Sequence, residues 1–568
     1  MNDLVVPDWL EAQTNRQKKA TPLDVLFVNL PTISPELATS DDATSAVALT
    51  PPLGLLYLAN SIKDSPFVNS YQCVDFAICD FTGCSENHEV AELVLKKLKE
   101  TATEKPRIFA VALMFSSAYG FFQLVIEEIK KCWKDTVIMV GGVHASNTVE
   151  YLLKNNPGID YITCGEGEVA FNSFIEMIAT DTSKDILGVH SQGNIKRKSD
   201  NRLEQTAYTQ NLNIDYTKYP DLLDMGVYTK GTSLFSLSKT TLSVRAFSIM
   251  ASRGCPYHCT FCASHTVHGR TPRWRSFQNV TDEIYWLNAT YGVRKFYLID
   301  DNYVPSTKAV ELFNMLSEID IEGFEIVIQN MSINATDHKI IDAIVKAGIN
   351  NIAFAIESGS VVTQKRIKKN VKLNKAHDLV RYSQSKGLNV RIFYIIGFPR
   401  ETVADMEETF QYAKSLGADW STFSVASPIP GTEMYSEFVE LGYIEDGPSS
   451  WTGTTIRDRV FDTKEISREA IKDLAYRANL DSNFINNIHI KNCDFENAET
   501  IFSNFIEMYD FHIFAHDCLR RVYKSSGDTK KESNTIETMK MLLKSNETSR
   551  SFRKYFDLLD DEIVAHLG

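Results

Sequence analysis

Short apolar runs alternate with helical patterns twice along this chain, and that alternation limits the folds open to it. In the first stretch, residues 22–186, strand patterns fall at 24–30, 108–114, 136–140 and 161–164, with helices at 53–62 and 120–133. Such a run folds as a doubly wound parallel sheet with helices on both faces. Ligands of these sheets sit beyond the carboxyl ends of the strands. Here those ends are glycine-rich: Gly141-Gly142 and Gly165-Glu166-Gly167-Glu168. Each glycine also has the simpler reading of a tight corner.

From residue 242 a second alternation begins. Strands are expected at 243–250, 295–299, 325–329, 351–356, 389–396 and 421–426, and helices at 280–291, 306–318, 337–347, 375–386 and 402–416. Gly292, Gly348, Gly387 and Gly417 stand where left-handed helix ends want glycine. About six βα units are too few for a closed eight-stranded barrel, so the expectation is a partial (β/α)6 barrel. Residues 187–240 are polar and arrhythmic, with Tyr216, Tyr219 and Pro220, and read as a connector. Beyond 465 the chain turns to amphipathic helices at 467–478, 498–509, 535–543 and 550–558. The division is therefore a tail at 1–21, a sheet domain at 22–186, a connector at 187–240, a barrel at 241–465 and a helical region at 466–568.

Directly after the first barrel strand stands Arg253-Gly254-Cys255-Pro256-Tyr257-His258-Cys259-Thr260-Phe261-Cys262. Three thiolates in one loop can hold three irons of a cubic 4Fe–4S cluster, leaving the fourth iron open to substrate. A zinc knuckle is the competing reading, with His258, His265 or His268 as a fourth ligand. The loop's place at the carboxyl-end face, where barrel chemistry sits, favours the cluster.

Composition narrows the partners. Length 568 suggests three or four domains, and 43% hydrophobic with 23% charged residues is ordinary globular composition. A formal net charge of −14 argues against broad nucleic-acid binding. The basic run Arg270, Arg273, Arg275 then reads as a solvated face or a clamp for a substrate anion. Ten scattered cysteines are no disulfide framework and suit a reducing cytoplasm. Residues 1–20 lack the apolar core of a signal peptide. Residues 108–126 carry no charge and are long enough for a membrane span, but Ser116-Ser117-Ala118-Tyr119-Gly120 breaks them. Strand, loop and helix is the reading, with no membrane segment.

The CxxxCxxC spacing, with Phe261 before the last cysteine, resembles the radical S-adenosylmethionine (radical SAM) enzymes, and the likeness extends over residues 243–435. It implies that Asp300, Asp301 and Asn302 hold the SAM amino group, although this string also suits an Asx turn. Glu357 and Ser358 would reach the ribose or carboxylate end, and Gly397 would let backbone approach the adenosine. Pro428-Ile429-Pro430-Gly431-Thr432 completes the pattern after the sixth strand. Arg391 faces either the SAM carboxylate or Glu357.

The preceding sheet resembles the cobalamin-binding domain of one large branch of these enzymes, through Pro51-Pro52-Leu53-Gly54-Leu55, Gly141-Gly142-Val143-His144 and Gly165-Glu166-Gly167-Glu168. The implied cobalamin contacts are Pro52, Leu53, Gly54, Ser116, Ser117, Gly141, Gly142, His144, Gly165, Glu166 and Glu168. Cobalamin domains with a histidine on cobalt carry Asp-x-His-x-x-Gly after the first strand. Here that loop reads Leu30-Pro31-Thr32-Ile33-Ser34-Pro35, and Asp510-Phe511-His512 lies in the helical region and ends in Ala515. The cofactor should then bind with its base displaced, His144 packing near it without ligating.

The resemblance implies a 4Fe–4S cluster, SAM and cobalamin as cofactors. The reduced cluster would cleave SAM to a 5′-deoxyadenosyl radical, and methylcobalamin would pass its methyl group to an unactivated carbon of a small-molecule or peptide substrate. An electron donor such as flavodoxin or ferredoxin is implied as well. No residue is singled out as catalytic. Cyclisation or rearrangement with the same cofactors is the nearest alternative. A tRNA methylthiotransferase would need a second cluster in its N-terminal domain, and Cys73, Cys79 and Cys84 stand too close together for that. A cobalamin-storing scaffold would not need intact cysteines.

Overall fold

The structure is a computed structural model that describes residues 21–32, 50–81, 84, 86–102, 106–229, 245–451 and 458–568. The expected tail falls almost wholly outside these residues, as do 230–240 of the connector and 241–244 at the start of the expected barrel. The chain divides into two compact units. The first holds the N-terminal strand, Pro52–Asp224 and Thr266–His268; the second holds most of the chain from Met225 onward.

Six strands form the sheet of the first unit: β1 Leu23–Asn29, β2 Val68–Asp75, β3 Ile108–Ala112, β4 Val137–Gly141, β5 Tyr161–Thr163 and β6 Val189–Ser191. Their order is β2-β1-β3-β4-β5-β6, parallel except for β6, which runs antiparallel to β5. The order reverses between β1 and β3, so their carboxyl ends flank the switch point where such sheets bind ligands. β1, β3 and β4 are nearly continuous apolar runs because helices cover both faces. The edge strand β2 was not expected, since VNSYQCVD mixes polar residues into a half-exposed strand. The uncharged stretch from Ile108 resolves into β3, a 3-10 turn at Ser116–Ala118 and the helix Tyr119–Cys132. Among the described residues no helix is long and apolar enough to cross a membrane.

The sheet does not stop at 186. β6 lies inside the expected connector, and the first unit continues to Asp224. Polar composition concealed this, because the polar groups here are buried with partners. His190 meets the Glu204 carbonyl at 2.9 Å, and Thr206 N donates to Cys164 O at 2.9 Å.

The second unit is built on β7 Ala246–Ile249, β10 Lys295–Leu298, β11 Glu325–Ile328, β12 Asn351–Glu357, β13 Asn389–Ile396 and β14 Trp420–Val425. All pair in parallel, in the order β14-β13-β12-β11-β10-β7. A two-stranded ribbon, β8 Ser252–Arg253 with β9 Arg273–Trp274, brackets the cysteine loop. Helix ends follow the sequence cues. Ser276 caps Phe277–Tyr291 and Gly292 closes it at φ 67°, while Thr402 and Asp405 form a capping box on Val403–Leu416. Along β13 burial alternates, with Val390, Ile392, Tyr394 and Ile396 buried and Arg391 on the opposite face. Arg391 interacts electrostatically with Tyr297 on β10, three strands away. These six parallel strands are the sheet of the partial (β/α)6 barrel expected from the sequence.

Helices Arg468–Leu480, Phe495–Met508, Ile513–Ser526 and Thr529–Ser545 follow, around a core of Phe484, Phe502, Phe514 and Phe552. Two amides on the first of these and its π-helical continuation, Asp481–Ile485, finish the open edge of the barrel. Asn479 Oδ1 accepts from Phe423 N at 3.1 Å and Nδ2 donates to Phe423 O at 3.0 Å. Asn483 makes the same pair with Ser421, at 2.7 and 2.6 Å. Four helical residues rise about 6 Å and two strand residues about 6.6 Å, so the two repeats match. The side chains thus act as a further strand on β14, which would otherwise expose its ladder.

Candidate functional site

The cysteine loop is held at both ends and in its middle. Asp301, just past β10, accepts from Gly254 N at 2.9 Å through Oδ2 and from Ser264 Oγ at 2.5 Å through Oδ1. In the middle, Thr260 N donates to Ile367 O at 3.0 Å, and Met434 N donates to Thr260 O at 2.9 Å. Phe261 packs on Phe398, ring centroids 5.6 Å apart, against Ile367, Met434 and Phe438. The aromatic residue before the last cysteine is therefore an anchor. Asn302 Nδ2 approaches Cys255 Sγ at 3.9 Å.

Cys255, Cys259 and Cys262 are free and half-buried. Burial pushes the Cys259 thiol up to about 11 and raises Cys262, so both want an electropositive partner to become thiolates. The donor set fits a 4Fe–4S cluster, three thiols in one electrostatic neighbourhood. Among the described residues no three ligating side chains converge as a single ion requires. A cubane needs no such point, because each thiolate takes a different iron. His268, a possible zinc ligand, belongs to the first unit, where its Nδ1 lies 3.1 Å from Glu166 Oε1.

Lys369, which sequence reasoning missed, faces this loop. Its Nζ pairs with Glu357 Oε1 at 2.9 Å and sits 5.9 Å from the Phe261 ring centroid. Burial alone would lower it, but Glu357 and Cys259 bring it above its ordinary value. Glu357 stands at φ 71° beside a register shift in β12, a conformation rare outside glycine. Glu357, the acid named as an alternative partner for Arg391, is paired with Lys369. Burial lowers Arg391 to about 10.

Other expected SAM contacts are committed inside the protein. Asp300 is buried and accepts from Ala251 N at 3.0 Å and Ser252 Oγ at 2.6 Å, and burial pushes it up to about 7. Ser358 is fully buried, 2.9 Å from Thr409 Oγ1, which leaves its hydroxyl no route to a ligand. Gly397, at φ 83°, gives its N–H to Glu401 at 2.6 Å and its carbonyl to Arg459 Nη1 at 3.1 Å. A Cβ there would lie 2.1 Å from Ile471 Cδ1, so packing against the region after the barrel demands this glycine. Arg275 is no anion clamp either: it is buried against Glu283 at 2.6 Å and Asn279 at 2.6 Å. Two large apolar side chains are exposed at the carboxyl-end face, Ile299 after β10 at 40% and Ile429 after β14 at 38%.

In the first unit the expected loops do gather at the carboxyl ends of the strands. Ser117 Oγ donates to Thr32 O at 2.5 Å, joining the loops after β1 and β3 across the switch point. Ser116 Oγ lies 2.8 Å from His144 Nδ1. Burial lowers His144 to about 3, so the ring is neutral. Gly142, at φ 111°, has room for no side chain, because a Cβ would sit 2.6 Å from Leu113 O. Pro52 precedes the helix Leu53–Ile62, whose Leu53 is buried; Gly54 has open space where a side chain would go. Glu166 is buried and accepts from Thr209 N at 2.8 Å, and Glu168 accepts from Thr209 Oγ1 at 3.2 Å. Glu166 therefore fastens its own unit, as does Gly165, whose Cβ would meet Thr206. The residues that sequence reasoning overlooked are Met114 and Phe115, 42% and 53% exposed directly after β3. Two large apolar side chains open to solvent at the switch point fit a broad, flat, apolar ligand such as a corrin. His512 is structural, stacked on Phe484 at 4.6 Å and capping Ile513–Ser526.

Comparison with known proteins gives two family matches. Residues 249–413 match the Radical SAM superfamily and residues 40–175 match the B12 binding domain. An uncharacterized methyltransferase of Pyrococcus horikoshii is 27% identical over 437 residues, covering 75% of this chain and 86% of the relative. The cytidylyl-2-hydroxyethylphosphonate methyltransferase of Streptomyces wedmorensis is 26% identical over 421 residues, 69% of this chain and 77% of its own. The radical S-adenosylmethionine methyltransferase TsrM of Kitasatospora setae, solved with cobalamin and a [4Fe-4S] cluster, superimposes with a TM-score of 0.55 at 16% identity, covering 75% of this chain and 77% of TsrM. That protein has also been solved with tryptophan substrate and a SAM analogue.

Proposed function

We propose that this chain, a radical SAM enzyme with a B12 binding domain, transfers a methyl group to an unactivated carbon of a small-molecule or peptide substrate. When bound, the cluster, SAM and cobalamin supply the reactivity, reductive cleavage of SAM and delivery of a methyl group. The chain's own part is to hold, orient and shield.

Cys255, Cys259 and Cys262 would each hold one iron. Lys369 keeps a cation beside Cys259 and is itself held by Glu357. It would stabilise a reduced, more negative cluster. Arg391, on the less covered face of β13, would offer its guanidinium to the SAM carboxylate. Ile299 and Ile429 would shield the reacting groups from water. Met114 and Phe115 would lie against the corrin, and His144, buried with its Nδ1 2.8 Å from Ser116 Oγ, would pack near it; the loop after β1 lacks the Asp-x-His-x-x-Gly string that puts a histidine on cobalt. An oxygen-sensitive cluster suits a reducing cytoplasm, with a flavodoxin or ferredoxin as electron donor.

The observation that carries this reading is the loop with three thiols, pinned at the carboxyl-end face of a barrel that follows a cobalamin-type sheet in the sequence. Anaerobic reconstitution with iron, sulfide, cobalamin and SAM tests it. The expected outcome is one 4Fe–4S cluster per chain, 5′-deoxyadenosine, and a product heavier by one methylene unit. With deuterated SAM the label should reach substrate carbon. A product without a transferred methyl group would leave cyclisation or rearrangement in its place.

A further inference from the structure

The carboxylate expected to bind the SAM ammonium does something else in the structure. Each Asp301 oxygen already has a donor, and the two donors stand on either side of the cysteine loop. Gly254, on Oδ2 at 2.9 Å, immediately precedes Cys255; Ser264, on Oδ1 at 2.5 Å, stands just after Cys262. We propose that Asp301 is a positioning residue that clasps the two ends of this loop, setting Cys255 and Cys262 for the cluster. The proposal rests on the cluster reading above.

Asp301 is well placed to act as such a clasp. It leaves β10 beside Asp300, which pins Ala251 N just before the ribbon strand β8 and Ser252 Oγ at its first residue. It is followed by Asn302, whose side chain accepts from Tyr303 N at 2.9 Å and approaches Cys255 Sγ. Three successive residues therefore tie down the chain from Ala251 to Ser264. Asp301 also explains the backbone at Gly254, whose φ of 94° turns its N–H onto the carboxylate. Bonds to an ionised carboxylate are among the stronger hydrogen bonds, and two in opposite directions fix orientation as well as distance. Without them the loop keeps Thr260 and Phe261 at its middle, Arg270 on the Tyr257 carbonyl, the Asn302 approach to Cys255 and the weaker Cys255 N to Gly269 O bond of 3.3 Å, none of which ties its two ends together. The outer cysteines would then lose their relative positions, although the barrel would stand.

The test separates a clasp from a SAM ligand by leaving SAM out. Full-length wild type, Asp301→Ala, Asp301→Asn and Ser264→Ala are reconstituted anaerobically with iron and sulfide alone. Iron and sulfide per chain, the rate at which a chelator strips the iron, and the electron paramagnetic resonance spectrum of the reduced cluster are measured. Loss of a charge-assisted bond predicts stripping roughly ten- to a hundredfold faster in Asp301→Ala. Ser264→Ala, which removes one hydroxyl, should move the same way by less. Asp301→Asn, which can still accept at one end, should fall between wild type and Asp301→Ala. Should Asp301→Ala fail to fold, as read by circular dichroism, Ser264→Ala carries the test. Wild-type stripping rates and spectra in both Asp301→Ala and Ser264→Ala would overturn the clasp. A wild-type protein that assembles no cluster would instead overturn the reading beneath it.

Discussion

Replacing Asn483 by Ala should unfasten the open edge of the barrel without touching any proposed cofactor contact. Asn483 satisfies both main-chain groups of Ser421, a buried residue, with bonds of 2.7 and 2.6 Å. Alanine leaves a buried N–H and a buried carbonyl unpartnered, at about 1–3 kcal/mol for each, unless water enters. Partial relief by water makes about 2–4 kcal/mol the expected total for local opening. A chain of several compact parts need not unfold in one step, so a global melt is the wrong assay. Amide hydrogen exchange reads the local term: Ser421 should exchange roughly thirty- to several-hundredfold faster, with Phe423, still held by Asn479, less affected. Asn483→Asp sharpens the test, since a carboxylate can accept from Ser421 N but cannot donate to Ser421 O. It should exchange at least as fast as the alanine variant. Unchanged protection of Ser421 in both variants would refute the edge-cap argument.

Glu401, pushed by burial to about 7, keeps its proton to a higher pH in the folded protein than in the unfolded chain. A raised folded value means stability is fully present below the unfolded value and lost as pH rises through the folded one, at most about 3 kcal/mol between pH 4.5 and 7. Glu401→Gln should remove that part, so its melting temperature relative to wild type should rise from pH 5 to pH 8; a constant difference would contradict it. Cobalamin in the cobalt(II) state should show no nitrogen splitting in its paramagnetic resonance spectrum, and His144→Ala should leave that spectrum unchanged. A nitrogen signal lost in the variant would make His144 the axial ligand. Phe115→Ser should weaken cobalamin binding by roughly tenfold through lost apolar burial, and equal affinity by titration would remove Phe115 from the site.

Much of this protein is legible in local pattern. Every strand of the barrel sheet, the glycine ends at Gly292 and Gly417, the three thiols and the missing cobalt histidine follow from residue type and spacing within short windows. Periodicity reports burial, and burial is what strands and helices are selected for. It reports less well where polar residues are buried with partners, which is why β2 and β6 were missed. The polar site residues were placed on the right strand ends, yet their partners were not foreseeable. Asp301 clasps Gly254 and Ser264, Glu357 is claimed by Lys369, Ser358 by Thr409, and Gly397 by Glu401 and Arg459. Several of these pairs lie tens of residues apart, and Asn483 reaches Ser421 from a helix beyond the barrel. A hydrogen bond needs its donor and acceptor within about 3 Å at a favourable angle, a condition set by how elements pack. Residue type put chemistry at the mouth of the sheets; only tertiary packing decided which of those groups brace the loops and which remain for a ligand.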